Sequence, residues 1–323
     1  MLTYTVLQLV FLSLQSPRAA PLLFVSNELA RTISVINADS SYSVGDISVP
    51  GRPRGIQVSH DGRRIYVALS DTLRQTAGPA DGIVAIDIAT RRIVDRLPAG
   101  TDPEQFAVSR DGRWIVASNE DAGTASAIDL PARHVAARIV VGLEPEGVAI
   151  SPDGRWTYVT GETSNTVSAI DTRTHRVVAN VLVGARPRAV VFAADGRTAY
   201  VTSEIGRMLT ILDVGRHRAV ATVAITDSGA KPVGVALSPD GTLAYVATGR
   251  GNSVAVVDLV ARRQIASIPV GRRPWGIAIS GDGRTVYTAN GLSGDVSVVD
   301  TEKRQVVRTI KAGAGAWGVA LTR

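Results

Sequence analysis

One short pattern recurs along the chain, and it limits the possible folds more than any other feature. Asp-Gly pairs stand at Asp61, Asp111, Asp153, Asp195, Asp240 and Asp282, 42 to 50 residues apart. The same order of β-favouring runs surrounds each pair. It is clearest in EPEGVAISPDGRWTYVTGETSNTVSAIDTRTHRVVANVLVG and returns in KPVGVALSPDGTLAYVATGRGNSVAVVDLVARRQIASIPVG. A period near 42 residues is the length of one propeller blade built from four short strands.

Each piece of the unit has a physical role. GVAIS and GVALS alternate large and small residues, which suits a crowded innermost strand. Ser-Pro-Asp-Gly makes a turn, in which Pro239 presets its own φ and Gly241 accepts a positive one. YVT or YVA opens the second strand, VSAID or VAVVD forms the third, and VVANVLV or IASIPV the fourth. No segment sustains a 3.6-residue apolar period, which excludes an α/β arrangement.

Two tallies give the blade number. The pair of second and third strands occurs seven times if Phe24–Asn37 is counted, and the inner strand occurs seven times if Gly315–Arg323 is counted. The first copy lacks an inner strand and the last copy has nothing else. The expected fold is therefore all-β: a seven-bladed β-propeller of four-stranded antiparallel blades, spanning residues 21–323 and closed by pairing of the N-terminal strands with the C-terminal strand. Closure of this kind removes the sheet edges that an open array leaves exposed.

The YVT/YVA–NTVSAID–VG spacing resembles the YVTN family of bacterial β-propeller repeats over residues 22–323, and the opening FVSNELARTISVINADS is similar to propeller proteins associated with pyrroloquinoline-quinone (PQQ)-dependent catabolism. That resemblance implies an exported protein working beside quinoprotein alcohol oxidation, linked to PQQ by pathway and not by binding it. It supplies no catalytic residues, and the repeat encodes strands and turns, so fold does not carry function with it. The chain does not resemble the quinoprotein dehydrogenases themselves, because it has no cysteine for an adjacent-cysteine ring or a haem-attachment motif.

Propeller topology sorts the loops onto two faces. On one, the residue after each motif proline reaches the mouth of the central channel: Arg54, Glu104, Glu146, Arg188, Val233, Trp275 and finally Trp317, where Ala316 replaces the proline. Two acids thus sit side by side between arginines, with two tryptophans across from them. Just ahead of the proline come Arg52, Asp102, Glu144, Arg186, Lys231 and Arg273, and loops after the second strands add Glu28, Asp71, Glu120, Glu162 and Glu204. Variation between copies concentrates on this face, as does the longest insertion, Asp71–Gly82; binding usually uses the variable face of a repeat.

Two readings of the mouth follow. It is a pocket for a small polar or cationic molecule with Trp275 and Trp317 as stacking walls, or the charges pair internally and the tryptophans fill the tunnel. A metal variant would use Glu104 and Glu146 with Glu120 or Glu162, an oxygen-only set suited to Ca²⁺ or another divalent ion. With a metal, a lactonase-type hydrolase becomes the natural enzyme. Without one, no cofactor is expected.

Nothing in the sequence forms a Ser/His/Asp constellation or a phosphate-cradling loop. His60, His134, His175 and His217 all fall in turns of the opposite face and are expected to be solvated. That face also collects arginines after the Asp-Gly turns and in the outer hairpins, expected as a solubilising surface partly paired with the turn aspartates. A nucleic-acid-binding propeller is the remaining alternative, and no aromatic interleaving supports it.

The first twenty residues differ from the repeats. Val6–Leu14 is apolar apart from Gln8 and Ser13, and small residues follow at Ala19 and Ala20. Residues 1–20 read as an export signal too short to span a bilayer, although no Lys or Arg precedes the apolar run. The expectation is a monomeric, non-enzymatic binding or scaffold propeller of the periplasm, partnered by a small molecule or a periplasmic protein, with no membrane span.

Overall fold

The computed structural model describes residues 20–71 and 78–322. Most of the expected export segment, residues 1–19, lies outside these, as does much of the insertion after Asp71.

The described chain forms seven four-stranded antiparallel sheets, whose innermost strands touch their neighbours in ring order. Blade 4 is representative: Pro145–Ile150 is innermost, followed outward by Trp156–Gly161, Thr166–Asp171 and Arg176–Leu182. The two middle strands of each blade are buried on both sides and pack face to face between blades, while alternate residues of the outermost strand meet solvent.

Blade 1 is closed as the sequence predicts. Ala316–Leu321 is its inner strand and pairs antiparallel with Leu22–Asn27. The amide of Gly318 donates to the Ser26 hydroxyl at 2.8 Å, and that of Leu22 to the Thr322 hydroxyl at 2.7 Å.

One recurring irregularity aims side chains. In blade 4 the inner-strand register breaks between Pro145 and Val148, so Glu146 and Gly147 form a bulge; the same break follows Pro53, Pro103, Pro187 and Pro274. Proline has no N–H for the ladder, and the bulge turns the next residue toward the channel. The glycine after it is required by crowding: a Cβ on Gly147 would lie 2.2 Å from the Arg188 carbonyl oxygen, and one on Gly276 2.5 Å from that of Trp317.

The turn face corrects two expectations. His60 and His134 are exposed, but His175 and His217 are half-buried between blades. The His175 ring stands edge-on to Trp114 of the preceding blade at 4.8 Å, and His217 edge-on to Trp156 at 4.5 Å, with Nδ1 2.8 Å from the Tyr158 hydroxyl. Both occupy a hairpin position with positive φ, which swings the side chain back onto the preceding blade. The aspartates of the Asp-Gly turns, for their part, form no ion pair with arginine among the described residues, although Asp213 in an outer hairpin pairs with Arg216 at 2.7 Å. Asp153, for example, accepts the Ser151 hydroxyl at 2.6 Å and the backbone N–H of Arg155 at 3.0 Å, and Asp61, Asp111 and Asp282 accept the equivalent pair. The arginine side chains go elsewhere, as with Arg155 stacked on Trp156 at 4.7 Å.

Candidate functional site

The hydroxyl-bearing residue of the second strand clamps the ring of channel residues. Ser26, Ser118, Thr160 and Thr202 donate to the carbonyl oxygens of Arg54, Glu146, Arg188 and Val233, each in the next blade, at 2.6, 2.7, 2.8 and 2.5 Å. The sequence reading took this residue only as part of a strand; its recurrence as Ser or Thr after a β run in these four blades was the available signal.

Above the ring lies a cavity of about 660 Å³ lined, among the described residues, by eight carboxylates and five arginines. Arg54, Glu104, Glu146, Arg188, Trp275 and Trp317 all line it, and Val233 does not. Glu146, Arg188, Trp275 and Trp317 also border a second, inner cavity of about 250 Å³, so these four side chains partition mouth from tunnel.

The charges form two arginine-centred clusters. Arg188 Nη1 lies 2.9 Å from Glu146 and 2.5 Å from Glu162, and Nη2 lies 2.8 Å from Glu204. Arg186 Nε contacts Glu162 and lies 3.3 Å from Glu204. Arg54 contacts Glu104 and stands 3.2 Å from Glu28, 3.7 Å from Asp102 and 3.6 Å from Glu120, while Arg52 bridges Glu28 and Asp102. Burial, offset in part by Arg188, pushes the Glu146 carboxyl up to about 7. Burial likewise raises Glu120 and Glu162. For Arg188 burial works against the charge, but Glu146, Glu162 and Glu204 outweigh it and hold the guanidinium protonated.

The four carboxylates named as metal candidates do not converge. Glu104 and Glu120 join Asp102, with ligand atoms within 4.8 Å of one another, whereas Glu146 and Glu162 belong to Arg188. Arg54 stands against all three members of the first group, supplying the positive charge that an ion would bring. The tryptophans are side by side, ring centroids 6.0 Å apart. Trp275 carries the guanidinium of Arg188 at 5.4 Å and that of Arg273 at 5.1 Å, and Trp317 is 7% exposed. Stacking on these rings is thus largely taken by the protein's own arginines. Sequence reasoning also missed the backbone here: Asp102, Glu144, Arg186 and Arg273, all just before the proline, have φ between 46° and 58°, a left-handed conformation that costs a non-glycine residue about 1 kcal/mol.

A family model described as a YNCE-like β-propeller matches residues 74–153, within a ring of seven four-stranded blades. The fold is that of a seven-bladed β-propeller, and part of its repeat is YNCE-like. A second model, the cytochrome D1 heme domain, matches residues 208–317 of the propeller; the described residues that line the mouth include no histidine, cysteine or methionine. No curated protein matches it. Among solved structures the propeller is similar to periplasmic gluconolactonase PpgL of Pseudomonas aeruginosa, at 21% identity over 94% of this chain and 99% of that one, TM-score 0.77. Kuenenia stuttgartiensis hydrazine synthase matches at 22% identity over 87% of this chain and 92% of that one, TM-score 0.76. A protein of unknown function from Desulfotomaculum acetoxidans matches at 17% identity over 94% and 99%, TM-score 0.79. At these identities the likeness is one of fold. Among the described residues no helix is long and apolar enough to cross a membrane.

Proposed function

We propose that this is an exported binding propeller that holds a small polar or cationic organic molecule at the channel mouth. The observation that carries the reading is the charge of the cavity. The chain as a whole is positive, with a formal charge of +6, but among the described residues the 660 Å³ mouth gathers eight carboxylates against five arginines. A concave, net-negative site inside a net-positive molecule attracts and focuses a cationic group. The apolar run Val6–Leu14 supports export, as does the fold shared with a periplasmic gluconolactonase. Service beside quinone-linked alcohol oxidation rests on the family resemblance alone.

Calorimetry with small amines, amino acids and polyols tests the reading. Binding of at least one class, weakened in Trp275→Leu/Trp317→Leu, is the expected result. Binding unchanged in that double variant would move the site away from the mouth, and no binding at all would remove it.

One observation favours a second reading, a lactonase-type hydrolase. Glu146 is buried at the partition with its carboxyl near neutrality, a value suited to a general base, and a gluconolactonase shares the fold. Hydrolysis of glucono-δ-lactone above the spontaneous rate, lost in Glu146→Gln, would carry it; a rate equal to the blank would end it.

A further inference from the structure

The mouth is electrically divided across its width. Blades 3 and 4 contribute Glu120 and Glu144, and in a ring of seven the blade opposite them is blade 7, which contributes Arg273. Four of the five arginines lining the mouth are engaged by carboxylates. Arg273 differs: among the described residues it makes no ion pair, and its guanidinium rests beside the Trp275 ring at 5.1 Å, exposed to the cavity. Its backbone sits at φ 56°, where the matching position of blade 1 has Gly315 at φ 70°. On the facing wall Glu144 accepts the Thr163 hydroxyl and makes no ion pair among the described residues.

A simple amine satisfies only the acidic wall of such a bowl and leaves the Arg273 guanidinium without an anionic partner among the described residues. A simple carboxylate meets a lining with more acids than bases. A molecule carrying both charges answers both walls, with its carboxylate on the planar fork of Arg273 and its ammonium toward Glu120 and Glu144. We propose that the ligand of the mouth is a small zwitterion, an amine and a carboxylate on one short chain, with Arg273 as the carboxylate receptor. This rests on the reading of the mouth as a binding site and names its ligand class.

The test is calorimetry with β-alanine, 4-aminobutanoate and 6-aminohexanoate, each beside the amine and the carboxylate of the same chain length. One zwitterion should bind at least tenfold more tightly than its matched amine. Arg273→Gln should reduce it to the level of the amine, and Arg273→Gly should do the same while raising the melting temperature, because glycine relieves the left-handed backbone. Amine and zwitterion binding equally, or full zwitterion affinity in Arg273→Gln, would overturn the assignment and leave the mouth as a cation site. If none of these compounds binds while a polyol does, the zwitterion falls and the mouth stands; if nothing binds, both fall.

Discussion

The hydroxyl of Thr160 donates at 2.8 Å to the carbonyl oxygen of Arg188 in the next blade, so a single buried hydrogen bond fixes where the central arginine of the mouth begins. Thr160→Val keeps the shape but removes this donor and also the acceptor that Thr160 offers the Gly147 N–H at 2.8 Å. An unsatisfied buried carbonyl costs about 1–3 kcal/mol, and the variant should lose at least that much stability in urea unfolding. Stability unchanged within the error of the fit would show that this clamp does not hold the ring.

Arg54 stands where an ion would bind between Asp102, Glu104 and Glu120. Millimolar calcium should leave the melting temperature of the natural protein unchanged. Arg54→Ala vacates the space among three carboxylates, and calcium should then raise the melting temperature of the variant in a concentration-dependent way. A calcium response in the natural protein, or none in the variant, contradicts this placement.

His175 and His217 predict an acid sensitivity. Burial lowers both imidazoles below their ordinary value, helped at His217 by the charge of Arg155 and opposed by Asp213, and at His175 opposed by Asp171. Below about pH 6.5 the unfolded chain therefore binds more protons than the folded one, and stability falls as pH drops through that value. Replacing both histidines with asparagine should flatten the melting temperature between pH 7 and pH 5. A slope unchanged in that variant would assign the sensitivity to other groups.

Glu146 acts in the opposite direction over nearly the same range. Its carboxyl, raised to about 7 by burial, keeps its proton in the fold after the unfolded chain has lost it, so it stabilises at low pH and that contribution fades as pH rises from the ordinary carboxylate value toward 7. Glu146→Gln should remove this fading and steepen the histidine-driven loss on the acid side. If pH profiles of the variant and the natural protein run parallel, Glu146 titrates as an ordinary carboxylate.

Deleting Ala312–Arg323 removes the inner strand of blade 1 and opens the ladder along Leu22–Asn27. The truncated chain should elute as aggregate in size-exclusion chromatography. A monomer with the natural melting temperature would mean that ring closure is dispensable.

The repeat made the architecture readable because turns and strands leave periodic local marks: Ser-Pro-Asp-Gly before Trp156 and before Leu243 specifies the same hairpin twice. The ring of Arg54, Glu104, Glu146 and Arg188 was equally readable, since a fixed position in each copy maps to a fixed place around the channel. Partner choice was not. Whether Glu104 meets a metal or Arg54 depends on side-chain reach between blades, which no spacing within a blade encodes. The same limit hid the burial of His175 and His217: their neighbours Trp114 and Trp156 belong to the preceding blade, 61 residues earlier in the chain.

The strand Ala316–Leu321 sits innermost in blade 1, although every other strand of that blade precedes it by well over two hundred residues. During synthesis the ring therefore stays open until Leu321 has emerged from the ribosome. Until that moment Leu22–Asn27 has no inner neighbour, so the edge of the first sheet stays unpaired however completely the other six blades have formed.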